Sequence, residues 1–315
     1  MSSTNVILRE ARKNKNDEFY TQLSDIEKEI PYYKKYLEGK IVYCNCDDWR
    51  KSMFYVYFKT HFDELKLKKL ICTGYQSGRF GVAAIYDGVK ENTFSLSDDG
   101  DFRSEECLKY LEECDVVITN PMYSLFREYI KTLFKYNKKF LIIGSMNVIS
   151  FREVFPKIRN NEMWEGISFN GTRAHFEVPK WFEGKYVYTD DDGKRMAMVN
   201  NSLWFTNIPH EKRNKPIPMT KTYCGHESEY KKYDNYDAIE VGKLKDIPKD
   251  YDGVMGVPIT FIYQYCPTQF KILGLCASMK YDSEIVGIPF AGEGNAKPKI
   301  NGNIAYARIF IQKIK

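Results

Sequence analysis

No apolar run in the 315-residue chain approaches the roughly 20 residues of a membrane-spanning helix, so a helical integral membrane protein is excluded. The sequence also has little that would hold a metal. Cys44 and Cys46 stand one residue apart, but no second pair at zinc-like spacing accompanies them, and Cys224-Gly225-His226 makes no better case. Asp190-Asp191-Asp192-Gly193 lacks the rest of a calcium-loop pattern and reads as the tip of a hairpin. No secretory leader is visible, so the eight cysteines are expected as thiols in a reducing cytoplasm rather than as a disulfide framework. Charge of either sign is not in large excess. A net +5 describes an ordinary solvated surface and still leaves room for a local basic groove facing a polyanion.

What is present is typical of a globular chain, with 43% hydrophobic and 28% charged residues. The length allows one larger domain and one smaller. Aromatics are abundant at 15%, with 24 tyrosines, most of them expected in the core or on the surface and a few free to stack on flat ligands.

The chain is organised around Asp115-Val116-Val117-Ile118-Thr119-Asn120-Pro121-Met122-Tyr123-Ser124. Val116 to Thr119 form a β-branched run suited to a buried strand. Pro121 has no N–H to continue a ladder, so the strand must stop there. A polar amide, a backbone carbonyl and an aromatic are thereby presented together at a strand's carboxyl end, where open α/β sheets bind ligands. The Asn120 side-chain oxygen and the Pro121 carbonyl can both accept from an exocyclic amine, restoring electron density to its nitrogen. Tyr123 can stack on the base that carries the amine. Group transfer to such an amine needs neither a metal nor a covalent nucleophile.

With this element the sequence resembles the amino-directed S-adenosylmethionine-dependent methyltransferases, whose motif is Asn/Asp/Ser-Pro-Pro-aromatic, and more narrowly the EcoRI-type adenine-specific DNA methylases. Matching stretches run through most of the chain: Asp17–Gln22, Val42–Asp48, Gly100–Ser104, Lys138–Ile143, Tyr233–Ile239 and Gly253–Phe261. The family's second proline is Met122 here. The resemblance implies a Rossmann-like α/β methyltransferase fold with a C-terminal target-recognition region. It also implies S-adenosylmethionine as cofactor and double-stranded DNA as partner, bound by a monomer.

Taken in order, residues 1 to 16 are polar and basic, a frayed tail or an arm brushing phosphates. Asp17–Gln22 reads by itself as a helix cap, with Ser24 and Glu27 offering a capping box. The resemblance instead makes Phe19, Tyr20 and Thr21 cofactor-binding candidates. Residues 25 to 38 are expected as helix ended by Gly39, and Ile41 to Cys46 as the first strand. The turn after that strand, Asp47-Asp48-Trp49, lacks the glycines most relatives carry, although the EcoRI-type branch shares Cys44-Asn45-Cys46-Asp47-Asp48. Cys44, Asn45 and Asp47 are therefore cofactor candidates. Asp47 or Asp48 would pair with the methionine ammonium or cap the helix expected from about Arg50 to Leu65.

The second strand, Lys69 to Cys72, is followed by Thr73-Gly74-Tyr75 and supplies no acid for the ribose hydroxyls. Residues 79 to 97 suggest a hairpin about Asp87-Gly88. A Gly-Asp-aromatic turn is common in loops. The resemblance implies that Asp101 accepts from the cofactor's adenine amine and that Phe102 packs on its ring. Helices are expected over 104 to 113, Ser124 to Lys135 and Val148 to Ile158, and later strands at Phe140–Ile143, Ile167–Phe169 and Ser202–Thr206. Phe176 suits the core better than a base-facing site.

Beyond 208, Lys212, Arg213, Lys215, Lys221, Lys231 and Lys232 alternate with Tyr223, Tyr230, Tyr233 and Tyr236. By composition this is a solvated loop region. By the family's motif order it is where DNA is read. The expected organisation is a cofactor-binding and catalytic domain over 1–207 and a target-recognition region over 208–315. The expected activity is methylation of adenine, with Asn120, Pro121 and Tyr123 at the reaction centre. RNA or protein-glutamine methylation remains an alternative, as does a catalytically weakened DNA-binding relative on account of Met122.

Overall fold

The computed structural model describes residues 21–169, 174–180, 182, 186–199 and 201–314. The chain divides into two compact units, Met1–Val148 with Glu165–His210 and Ile149–Trp164 with Glu211–Lys315.

The first unit is described from Thr21. Helix α1 (Leu23–Glu29) runs through a 3-10 turn, Ile30–Tyr33, into a last turn, Lys34–Leu37, and Gly39 follows at φ +72°. Ile26, Ile30, Tyr33 and Leu37 recur at helical spacing and are all fully buried. Then come β1 (Ile41–Cys44), α2 (Met53–Thr60), β2 (Lys69–Gly74), β3 (Val82–Tyr86), β4 (Glu91–Ser95), α3 (Glu105–Glu113), β5 (Val116–Thr119), α4 (Phe126–Lys135) and β6 (Lys139–Ser145). After them are the two-residue strand β7 (Trp164–Glu165), of which Glu165 belongs to this unit, β8 (Ala174–Glu177), β9 (Val187–Thr189), β10 (Arg195–Val199) and β11 (Ser202–Thr206).

One sheet has the order β4-β3-β2-β1-β5-β6-β11-β7. Its four middle strands, β2, β1, β5 and β6, are mutually parallel, while β3, β4 and β11 run antiparallel to their neighbours. Every residue of β1 and β5 is buried, as in strands covered on both faces. The architecture is thus mixed α/β. From β1 the chain steps to β2 on one side and later to β5 on the other. The crevice that such a reversal opens lies at the carboxyl ends of these strands. The hairpin at Asp87-Gly88 forms the sheet's edge, and β8, β10 and β9 make a separate small sheet whose β9–β10 tip is Asp190–Gly193.

Two of the expected elements fail. Val148 to Ile158 is not one helix but a 3-10 turn, Met146–Ser150, and a short helix α5 (Phe155–Arg159). Pro156 stands in its first turn and could not occupy the interior of a helix extended backwards from there. Ile167–Phe169 is not a strand. The Ile167 and Ser168 amides donate instead to the fully buried carboxylate of Glu29, at 2.8 and 2.6 Å, so they have no ladder to join.

The second unit is built on a four-stranded sheet of order β12-β13-β17-β14, from β12 (Ile239–Glu240), β13 (Met255–Pro258), β14 (Phe270–Cys276) and β17 (Arg308–Lys313). A two-stranded ribbon, β15 (Lys299–Ile300) and β16 (Asn303–Ile304), precedes the last strand. Tyr230, Tyr233 and Tyr236 are 8%, 5% and 3% exposed, so three of the four tyrosines spaced among the lysines are core residues, while Tyr223 is half-buried. The Tyr233 hydroxyl donates to Glu240, which is forked by Arg308 at 2.6 to 3.1 Å in a nearly buried ion pair.

Candidate active site

A cavity of about 200 Å3 lies in the first unit where the carboxyl ends of β1, β2 and β5 converge. After β1 it is walled by Asn45, Cys46, Asp47, Asp48 and Lys51; after β2 by Tyr75, Gln76 and Ser77. The loop before α3 adds Gly100, Asp101 and Phe102, and the stretch after β5 adds Asn120, Pro121, Met122 and Leu125. Three turns far apart in sequence are joined by the parallel register, which pairs Val42 with both Leu70 and Val116.

The chain approaches itself closely here. A Cβ on Gly74 would lie 2.7 Å from the Asp48 Cα, and one on Gly81 would lie 2.6 Å from the Gly100 Cα. Gly100 is at φ +79°, with the Gly74 carbonyl oxygen 2.6 Å from where its own Cβ would stand. Only glycines let the end of β2 and the two loops meet in this way. The turn after β1 has no glycine; the small residues stand on the strands and loops packed against it.

The carboxylates are held differently. Asp47 accepts from Ser52 Oγ at 2.7 Å and from the Thr119 hydroxyl. Its amide donates to the Thr73 carbonyl at 3.0 Å, and its own carbonyl accepts from Cys72 Sγ at 2.9 Å. Burial pushes the Asp47 carboxyl up to about 6, against the lowering effect of the Thr119 and Ser52 hydrogen bonds. Asp48 is forked by Arg50 at 2.8 and 2.5 Å and receives Gln76 Nε2 at 3.3 Å. Burial raises its pKa, but the Arg50 bonds prevail and hold it below the usual carboxylate range. Asp101 is likewise partly buried yet lowered, by Arg103 at 2.9 and 2.6 Å. Phe102 packs edge-on to Tyr129, with ring centroids 5.0 Å apart, and the Tyr129 hydroxyl donates to Asn45 Oδ1. Burial pushes the Cys46 thiol well up, which favours its protonated form.

Of the residues named from sequence, Asn45, Asp47, Asp101, Phe102, Asn120 and Pro121 share this cavity. Cys44 is fully buried in β1, and Thr21 is buried; neither is on the cavity lining. Tyr123 is 3% exposed and sits in the first unit's core behind that lining, while Met122 and Leu125 face the space. Phe19 and Tyr20 lie outside the described residues. Helix α2 is capped by Ser52, which accepts from the Tyr55 amide, rather than by Asp47 or Asp48. Sequence reasoning missed Lys51, Tyr75, Gln76, Ser77 and Leu125 as wall residues. Gly74, a glycine closing a buried strand, was the available sign that backbones meet there.

The family model described as "Adenine-specific methyltransferase EcoRI" matches residues 7–95 and 81–314. Type II methyltransferase M.EcoRI of Escherichia coli is 43% identical over 331 residues, taking in 99% of this chain and 97% of that protein. M.MgeORF184P of Mycoplasma genitalium is 34% identical, covering 96% of this chain and 97% of its own. M.MpnI of Mycoplasma pneumoniae is 34% identical, covering 85% of each. Both are likewise named Type II methyltransferases. No solved structure matches the chain. Motif, cavity and near full-length similarity agree, and the chain belongs to the EcoRI-type adenine-specific methyltransferases.

Proposed function

We propose that the protein methylates the exocyclic amine of adenine in double-stranded DNA, using S-adenosylmethionine, as the modification enzyme of a restriction-modification system. The observation that carries this is the placement of Asn120 and Pro121 in one cavity with Asp47, Asp48, Asp101 and Phe102. A group that brings an ammonium, a sulfonium and a purine fits such a wall. Carboxylates would meet its positive charges, an aromatic its ring, and glycine-lined backbone gives it close approach. When bound, the cofactor supplies an electrophilic methyl group.

Asp47 holds the ammonium. Asp101 accepts from the cofactor's adenine amine, and Phe102 packs on that ring beside Asn45. Asp48 and Gln76 are the polar groups offered to the ribose, for which β2 supplies no acid. Thr21 and Cys44 back the pocket, and Phe19 and Tyr20 are assigned to the cofactor by the family resemblance. The target adenine is flipped so that its amine donates to Asn120 Oδ1 and the Pro121 carbonyl. These acceptors fix the nitrogen's lone pair toward the methyl, and Tyr123 turns out from the core to stack on the base. The amine proton leaves to solvent or a neighbouring acceptor after transfer.

The fold is read as Rossmann-like, with residues 1–207 catalytic and 208–315 reading DNA through their basic side chains. The enzyme acts as a monomer on DNA in the cytoplasm. Purified protein incubated with methyl-labelled cofactor and plasmid duplex should place label on the adenine amine at one recurring site. Label on RNA or protein instead would move the reading to the other acceptors. Tight, salt-sensitive duplex binding without transfer would make it the weakened relative that Met122 allows.

A further inference from the structure

We propose that Thr119 is a positioning residue that ties the alignment of Asn120 to occupancy of the cofactor cavity, acting through Asp47. This rests on the reading just given of both residues. Thr119 ends β5, is fully buried and immediately precedes the catalytic asparagine. It does not line the cavity itself, whereas Asp47 and Asn120 do. Its hydroxyl donates to Asp47 Oδ2, 72 residues away in sequence.

The rest of Asp47 is fixed. Its other carboxylate oxygen accepts from Ser52, which in turn caps α2, and its main chain is bound to Thr73 and Cys72 at the end of β2. One carboxylate thus joins the turn after β1, the start of α2 and the end of β5. Among these hydrogen bonds, the Thr119 bond is the one that reaches the strand carrying the acceptor oxygens for the adenine amine.

The groups that bear on Asp47 are Asp48 on its own turn, the thiols of Cys44, Cys46 and Cys72, the Tyr129 hydroxyl from α4, and Lys51 and Asp101 on the cavity wall. The thiols and Tyr129 are held neutral by burial, which leaves Lys51 as the cation on this wall. A positively charged ligand therefore favours the ionised Asp47, whose oxygens accept from both Ser52 and Thr119. Once Asp47 takes a proton, one of those acceptors becomes a donor and the hold on β5 slackens.

Thr119→Val keeps the shape and removes the donor; Thr119→Ser keeps the donor and loses a methyl. The Val variant should slow single-turnover methylation by about tenfold to a hundredfold, the sensitivity expected of displaced catalytic groups, with DNA affinity unchanged. It should also move the acid limb of cofactor affinity, followed by calorimetric titration against pH, to higher pH, because ionised Asp47 has lost a donor. The Ser variant should restore both. A merely structural threonine would lower the melting temperature and leave the pH limb where it was. Wild-type rate and limb in Thr119→Val overturn the proposal, as does a Ser variant impaired as much as Val. If the wild-type protein binds no S-adenosylmethionine, the parent reading fails first and takes this one with it.

Discussion

Met122 is where the chain leaves the two-proline pattern of its relatives. Its backbone, φ −56° and ψ 125°, already lies in the region a proline adopts, and its carbonyl accepts from the Leu125 amide at 3.1 Å to start the next turn. Met122→Pro should therefore be accommodated without refolding the loop. By removing a flexible side chain from the cavity wall it should raise the single-turnover rate while cofactor and DNA affinities stay nearly constant. An unchanged rate would mean that the turn is already held as firmly as a proline would hold it. Tyr123 presents the opposite case, an aromatic packed in the core that the chemistry asks to face a base. Tyr123→Phe should keep most activity and Tyr123→Ala lose most of it, since stacking on a base is worth about 1–3 kcal/mol. A fluorescent adenine analogue at the target site reports the difference as extrusion; equal signals from the two variants would remove Tyr123 from that role. Replacing Asp101 and Phe102 together should abolish cofactor binding in a titration that Asn120→Ala only weakens.

At the scale of elements, the glycine crossing is the part of the site least tolerant of change. Gly81→Ala puts a methyl into the Gly100 backbone, and neither chain can yield without moving Asp101. A loss of roughly 1–3 kcal/mol in thermal or denaturant unfolding is expected, together with weakened cofactor binding. The parallel strands were legible because β-branched, wholly apolar runs such as Val116–Ile118 have few other uses, and Asp87-Gly88 announced its hairpin. Asn120 and Pro121 could be named because they stand where a strand is stopped; Asp47 and Asp101 were named through the resemblance of their short stretches to the family. Gln76 and Ser77 could not, since they reach the cavity only through the packing of β2 against Asp48. Glu29 escaped for a related reason. Besides the Tyr33 hydroxyl one helical turn on, its partners are backbone amides 138 and 139 residues away, and an amide leaves no trace in the side-chain pattern.

For the molecule as a whole, the carboxylates pull stability in opposite directions with pH. Asp47 has a folded value near 6 against 3.8 for the free group, so the native state holds this proton more tightly than the unfolded chain. Its contribution is favourable in acid and is lost as pH rises from about 4 to about 6, by roughly 3 kcal/mol at about 1.4 kcal/mol per unit. Asp48 and Asp101, both lowered, contribute above the usual carboxylate range and lose that contribution as pH falls through their depressed values. Above pH 6 the empty protein thus carries an ionised, half-buried Asp47 that a cationic ligand would relieve. The rise in melting temperature on adding S-adenosylmethionine should be larger at pH 8 than at pH 5, and Asp47→Asn should flatten that difference.

The division of the chain also sets the order in which the molecule can be made. The sheet of the first unit closes only when β11 pairs with β6, and the second unit needs Ile149–Trp164 as well as everything after His210. A ribosome that has delivered residue 164 has therefore completed neither body. It has exposed the β11 side of β6, left Glu29 as a carboxylate without its two amides, and released a segment whose own sheet does not yet exist. Arrested nascent chains should remain protease-sensitive through that length and gain a resistant core in one step once β11 and His210 have cleared the exit tunnel.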